Sequence, residues 1–281
     1  MIENHKLAGI PFKQTPNVWA LPLIAPENII IHYSMSGTVA GTVAHLTNPK
    51  SQVSAHIVIG RDGEEVWQLA RFNQRAWHCG ASEWKGKKSR NYYDIGIEFV
   101  NWGPIELDKD GKTFHSKWGQ VVPAEEVEEA THKNETAPRY WHKFTPEQLA
   151  KGAEIAREIL TTYPTIEDVI GHDDIAPGRK SDPGPLFPME DFRRACFGAP
   201  EITPIGTSWN HADVLQFDHV TGSEIVVISF TMPNGEEGVD TLSMSDAYDL
   251  YEWFKGIVET CTCHEMYTSR GMKDPDCRKH G

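Results

Sequence analysis

The chain has 281 residues, of which 39% are hydrophobic and 24% charged, with a formal net charge of −13. This is the size of one large domain or of a medium and a small one, with the composition of a soluble globular protein. The negative charge argues against nucleic acid and anionic lipid as partners, and no apolar run approaches the ~20 residues that span a bilayer.

Residues 1–24, rich in Pro, Asn and Lys, read as an irregular lead-in without the apolar stretch of a secretory signal. Asn28 to Tyr33 is a β-branched run that suits a buried central strand, with His32 near its C-terminal end. Ser34 to Gly37 turns the chain. Thr38 to Leu46 reads as a short helix. Val53 to Ile59 and Glu65 to Leu69 flank Arg61-Asp62-Gly63 and predict a hairpin. Arg75 to Ser82 is a loop bearing Trp77, His78 and Cys79. Tyr93 to Asn101 predicts another strand, in which Gly96 allows a close approach and Glu98 offers a carboxylate.

From Trp102 to Lys143 periodicity fades. This stretch, carrying many charges and a turn at Asp110-Gly111, reads as a long functional loop or flap. Thr145 followed by Pro146 caps a helix, with Leu149, Ala153, Ile155, Ala156, Ile159 and Leu160 as its apolar stripe. Asp168 to Gly171 is a short strand. It feeds directly into His172 to Asp182, a loop punctuated by Pro177 and Gly178. Proline and glycine restrict or permit backbone conformations that hold side chains still without regular structure. Taken alone, the loop is open to two readings: a solvated surface turn, or a rigid platform for chemistry. Pro188 to Cys196 is a last helix.

At Gly198 the character changes. Ala199 to Ser208 reads as a linker. Val214 to Val220, Glu224 to Met232 and Gly238 to Leu242 read as strands, and Ser243 caps a helix to about Thr260. Residues 198–281 thus make a small α+β unit with a polar tail. Five cysteines, odd in number and unevenly spread, do not look like a disulfide framework, and folding in a reducing cytoplasm is expected. Cys79 and Cys196 read as buried thiols. Cys261, Cys263, His264, Cys277 and His280 in the tail are open to a second metal site or to simple free thiols.

A catalytic zinc typically takes three protein ligands and leaves a position for water. His32 ends one candidate central strand, His172 follows another, and Asp182 lies within folding-back distance. If the strands are neighbours, the three converge at one sheet end. Glu98 is then a candidate general base, and Lys180 a candidate stabiliser of a developing oxyanion. A strand-end histidine in a chain with 13 histidines is equally open to a structural role.

Five ordered blocks carry a resemblance. They are Ile-Ile-Ile-His32, Val-Ser-Ala-His56 with Arg61-Asp62-Gly63, Arg75 to Ser82, Asp94-Ile-Gly-Ile-Glu98, and Gly171 to Pro185. Together they resemble the zinc-dependent N-acetylmuramoyl-L-alanine amidases of the type 2 family, which includes phage lysozyme-type amidases, peptidoglycan recognition proteins and cytosolic anhydro-muropeptide amidases. The resemblance covers roughly residues 25–197, with 102–143 as an insertion. It implies an α/β fold with a mixed central sheet flanked by helices, one catalytic zinc ion, and cleavage of the amide joining muramic acid to L-alanine. It implies His32, His172 and Asp182 as zinc ligands and Lys180 as the oxyanion lysine. Some branches place a catalytic Tyr before the histidine of the second strand; this chain has Ala55 there. Glu98 instead sits where the anhydro-muropeptide branch carries its catalytic Glu. Trp77 and His78 match a loop lining the substrate groove, and Arg179 is a candidate for a stem-peptide carboxylate. His56 reads as a core residue.

The implied partner is peptidoglycan or a soluble muropeptide. A lytic amidase released to the wall through a separate pore, a cytosolic recycling enzyme and a non-catalytic recognition module all remain open. The insertion and the additional C-terminal unit favour the lytic role.

Overall fold

A computed structural model describes residues 1–22 and 25–197, together with four strands beyond them. The chain divides into two compact units, Met1–Phe197 and Gly198–Gly281.

The first unit is built on a five-stranded sheet. In chain order its elements are β1 (Asn28–Tyr33), α1 (Val39–Leu46), β2 (Ile57–Ile59), β3 (Val66–Gln68) and β4 (Asp94–Phe99). An inserted sheet follows: β5 (Pro104–Leu107), β6 (Phe114–Ser116), β7 (Val121–Val122), β8 (Val127–Thr131) and β9 (Pro138–His142). The unit closes with α2 (Pro146–Thr162), β10 (Asp168–Gly171) and α3 (Met189–Phe197). The central order is β10-β1-β4-β2-β3. The first four strands are mutually parallel, and β3 returns antiparallel to β2. This is the mixed sheet that the sequence predicts.

Every residue of β1 is buried. A strand covered on both faces needs apolar residues at consecutive positions, which is why Ile29, Ile30 and Ile31 run without alternation. One face packs on α2 and α3 through Ile29, Ile31, Ile95, Ile97, Phe99, Ala156, Ile159 and Phe192. On the other side α1 covers Val58 and Val100, with Val39, Val43 and Leu46. Helix α2 starts as its sequence dictates. Thr145 accepts from the Gln148 N–H, the Gln148 side chain accepts from the Thr145 N–H, and Pro146 occupies the first turn.

Two sequence readings are corrected in this unit. The lead-in carries a small hairpin, Ile2–Glu3 with Lys6–Leu7, and its Val18–Pro22 strand pairs with Gln74–Ala76. The 102–143 stretch is not a loop. Its strands form a five-stranded antiparallel sheet, ordered β7-β6-β5-β9-β8. Its core is a small apolar set, Ile105, Val122 and Val127, with Trp102, Phe114 and Tyr140 packed against it.

In the second unit four strands pair antiparallel: β11 (Ile202–Gly206), β12 (Gln216–Val220), β13 (Ile225–Thr231) and β14 (Glu237–Ser243). A strand thus stands where the sequence reads as a linker. Ser243 ends β14, and the helix expected after it lies outside the described residues, as do the tail cysteines and histidines. Among the described residues, no helix is long and apolar enough to cross a membrane.

Candidate active-site cleft

Parallel strands place their C-terminal ends at one edge of the sheet, and the candidate residues collect there. His32 is the penultimate residue of β1, and Glu98 is its register partner on β4. His172 follows β10 on the other side of β1 and opens a single helical turn, His172–Ile175. The loop then returns Asp182 to the same edge. The Asp173 N–H donates to the Asp182 carbonyl at 2.8 Å and ties the loop's two ends together.

His32 Nδ1 lies 2.7 Å, and His172 Nδ1 2.8 Å, from one oxygen of Asp182, Oδ2. All three side chains are buried, and their ligand atoms lie within 4.8 Å of one another. The tautomers follow from fixed backbone carbonyls. His78 Nε2 faces the Asp94 carbonyl at 3.1 Å and must donate to it. In the neutral ring, His78 Nδ1 is then an acceptor, so the His32 Nε2–H, 3.1 Å away, donates to it. That leaves His32 Nδ1 as a lone pair aimed at Asp182. His172 Nε2 faces the Cys79 carbonyl at 2.9 Å, so in its neutral form Nδ1 is again the free atom.

Burial, reinforced by charge on His172, lowers the His32 pKa to about 4 against the pull of Asp182. Burial also pushes His78 well below its ordinary value. For Asp182, burial alone would raise the carboxyl, but His172 and His32 outweigh it and hold it well below the usual carboxylate range. The His32 ring is thus neutral near neutral pH and the Asp182 carboxyl ionised, and both imidazole Nδ1 atoms converge on its Oδ2. Such a set suits a cation, and two imidazoles with one carboxylate suit zinc. The hydrogen bonds from each far ring nitrogen are the outer-shell contacts that orient metal-binding histidines.

Glu98 stands beside this cluster with Oε2 buried and, among the described residues, without a hydrogen-bond partner. Burial, then the nearby Asp182, raises its carboxyl to about 8, opposed by Lys180. Lys180 is exposed on the wall of the same cleft. The cleft is about 1120 Å³, with His32, Glu98, His172 and Asp182 among its lining residues. Trp77 lines it too, half-buried and 5.9 Å from Trp19.

Two expected ligand contacts are placed differently. His78 is buried with both ring nitrogens engaged by His32 and Asp94, so it supports His32 and has no free nitrogen to offer a substrate. Arg179 lines the cleft, but one guanidinium nitrogen donates to the carbonyls of Cys79 and Ala81, both at 2.6 Å, and staples the two loops together. Gly96 faces the His78 ring, where a Cβ would come within 2.5 Å of Nδ1. This is the close approach that a glycine inside a strand signals. His56 is a core residue: its Nδ1 accepts from the Gly96 N–H at 3.0 Å, and its Nε2 donates to Gln74.

Residues that no motif pointed to also reach this edge. The inserted sheet supplies Trp118, 61% exposed on the cleft wall, whose indole N–H donates to the Met35 carbonyl at 2.9 Å. It also supplies His132 and Lys133, which meet Asp173 and Asp174. A lone histidine among many charges gave no signal of this.

The model of the N-acetylmuramoyl-L-alanine amidase family matches residues 23–185, more than half of the chain and all of the cleft chemistry. The chain belongs to this family. The family is zinc-dependent, and His32, His172 and Asp182 are a set that could hold such an ion. The amidase AmiD of Escherichia coli K12 is 30% identical over 178 residues, 61% of this chain and 53% of that protein. The 1,6-anhydro-N-acetylmuramyl-L-alanine amidase AmpD of the same strain is 32% identical over 152 residues, 54% of this chain and 60% of that protein. The chain therefore spans only about half to three fifths of these amidases. Among solved structures, a selenomethionine derivative of AmpD aligns at 25% identity and a TM-score of 0.49, over 69% of this chain and 98% of its own. Escherichia coli AmiD aligns at 27% identity and a TM-score of 0.47, over 69% and 66%.

Proposed function

We propose that this chain hydrolyses the amide bond between N-acetylmuramic acid and L-alanine in peptidoglycan, with one catalytic zinc ion held by His32, His172 and Asp182. The observation that carries this reading is the convergence of His32 Nδ1, His172 Nδ1 and Asp182 Oδ2 at the cleft, beside the unpartnered oxygen of Glu98. Zinc held there supplies a Lewis acid that polarises the scissile carbonyl and acidifies water.

The chain's own groups do the rest. Glu98 takes the proton of the attacking water at its free oxygen and returns it to the leaving amine of L-alanine. Burial and the Asp182 charge raise its carboxyl, and a dication held by His32, His172 and Asp182 would oppose both and favour the ionised form that a base needs. Lys180 balances the negative charge that develops on the carbonyl oxygen. Trp77 offers an apolar face to the lactyl group or the sugar. His78 acts from behind, orienting His32, and Arg179, on the cleft wall, joins the 79–81 loop to the metal loop.

The finer reading is a lytic amidase of phage or prophage type acting on intact wall. A cleft of about 1120 Å³ stands at the upper end of the ~300–1,000 Å³ usual for a small-molecule site. Its wall also carries an indole fixed by its N–H with its ring open to solvent. The second reading, a recycling enzyme for soluble anhydro-muropeptides, draws support from the names of the AmpD relatives.

Purified sacculi test the activity. The protein is expected to release free stem peptide, to stop when zinc is chelated, and to resume when zinc is restored. Binding to sacculi without release, zinc present, overturns the enzyme reading in favour of a recognition module. Faster turnover of a soluble anhydro-muropeptide than of sacculi overturns the lytic reading alone.

A further inference from the structure

We infer that the inserted sheet braces the metal site, and that His132 is a positioning residue that sets zinc affinity by holding Asp173. The inference rests on the metal site proposed above.

The need for a brace lies in the loop itself. His172 and Asp182 are ten residues apart, and the single helical turn His172–Ile175 is the loop's regular structure. Asp173 holds its two ends together, donating its N–H to the Asp182 carbonyl at 2.8 Å. Whatever fixes Asp173 therefore fixes the positions of both His172 and Asp182. The inserted sheet does this. His132 Nε2 lies 2.8 Å from Asp173 Oδ2, and Lys133 Nζ lies 2.9 Å from Oδ1. Lys133 also reaches Asp174, whose other oxygen accepts the Gly171 N–H at 2.7 Å. His132 Nδ1 accepts the Asn134 N–H at 3.1 Å, which puts the ring hydrogen on Nε2, where it donates to Asp173.

His132 and Asp173 are both buried. Removing an imidazole and a carboxylate from water is costly unless the pair is well made. A surface ion pair through Lys133 alone would carry no such cost, so the buried contact has to be read as a fixed geometry. The His132 ring stacks on Trp141 at 5.8 Å, and the far edge of Trp141 abuts Gly184, just past Asp182. The same sheet grips the segment after His32. Trp102, at its root, covers Gly37. Both ligand-bearing segments are thus pinned by one inserted element.

Two substitutions of like chemistry and different reach test this. In His132→Gln the amide nitrogen replaces Nε2 and keeps the bond to Asp173. In His132→Asn the side chain replaces only the Nδ1 end and loses that bond. Zinc affinity of the full chain, measured by competition with a chromophoric chelator, is expected to fall about 10–100-fold in His132→Asn and to stay near wild type in His132→Gln. The visible spectrum of the cobalt-substituted protein is expected to change in the Asn variant alone. A merely structural His132 predicts equal affinities with lower thermal stability, and that result overturns the inference. Equal losses in both variants overturn it as well. Wild-type protein that takes up no zinc overturns the metal site itself, and this inference with it.

Discussion

The central sheet and the inserted sheet solve different problems with the same backbone chemistry. Four of the five central strands run parallel, and β1 in their midst is covered on both faces. The middles of β1 and β4 are therefore apolar, and polar residues stand at their ends: Asn28 and Asp94 at the N-terminal edge, His32 and Glu98 at the C-terminal edge. The inserted strands are antiparallel, two to five residues long, and folded around a few apolar side chains. The turns between them bring His132 and Lys133 to the metal loop and leave Trp118 outward on the cleft wall. The first sheet carries groups that react; the second carries groups that position and bind. Substitutions in the first are expected to change turnover, and substitutions in the second to change affinity for metal or substrate.

Glu98→Gln gives the largest expected effect among variants that keep the metal ligands. The amide is nearly isosteric and cannot accept the water's proton, so kcat is expected to fall about 10²–10⁴-fold, the usual worth of general acid–base catalysis. Zinc content and KM are expected to stay near wild type. Full activity in Glu98→Gln would remove the base from β4 and break the division between the sheets at its chemical end.

Acid probes both sheets at once. Burial lowers His56 in the central sheet to about 4, and lowers His142 at the end of β9 to about 4, opposed there by Glu126. Each ring accepts a backbone N–H at Nδ1, from Gly96 and from Trp102 respectively, and protonation removes that acceptor. The unfolded chain binds these protons near pH 6.5 and the folded chain near 4, so between those values the unfolded state holds more protons. Stability is therefore full above about pH 6.5 and is lost as pH falls toward 4. For the fully buried His56 the loss is of order 3 kcal/mol. Urea unfolding across this range is expected to show the decline, with a shallower slope in His56→Gln. An unchanged slope in that variant would mean that His56 is not held neutral by the sheet.

What the sequence makes legible follows the same division. A buried parallel strand, a Thr-Pro helix start and a Pro/Gly-punctuated loop each have a local signature, so β1, α2 and the His172–Asp182 loop were readable with their boundaries. Gly96 announced a close neighbour, and the neighbour is His78. The inserted sheet had no such signature. Strands of two to five residues are too short for alternation to register, and their register is set by hairpin pairing rather than by an apolar face. The roles of His132 and Asp173 were hidden for a related reason: their meaning lies in a contact 41 residues away in sequence. His78 shows the converse error. The block that contains it placed it correctly at the cleft, while its actual partners, His32 and the Asp94 carbonyl, are visible only in three dimensions.

The smallest expected effect is also the sharpest test of the inserted sheet as a binding surface. Trp118 is largely exposed and anchored at one point, so Trp118→Ala is expected to leave zinc content intact and folding little changed. If a sugar or peptide group of the wall packs on this indole, its loss is worth about 0.5–1.5 kcal/mol, or roughly a two- to tenfold rise in KM on sacculi with kcat preserved. A short soluble muropeptide that does not reach along the wall to Trp118 is expected to show little change. A fall in kcat with KM unchanged would place Trp118 with the reacting groups and erase the distinction between the sheets. An equal rise in KM on both substrates would put the indole in contact with the part they share, the muramoyl peptide, and remove the support it lends to a role on intact wall.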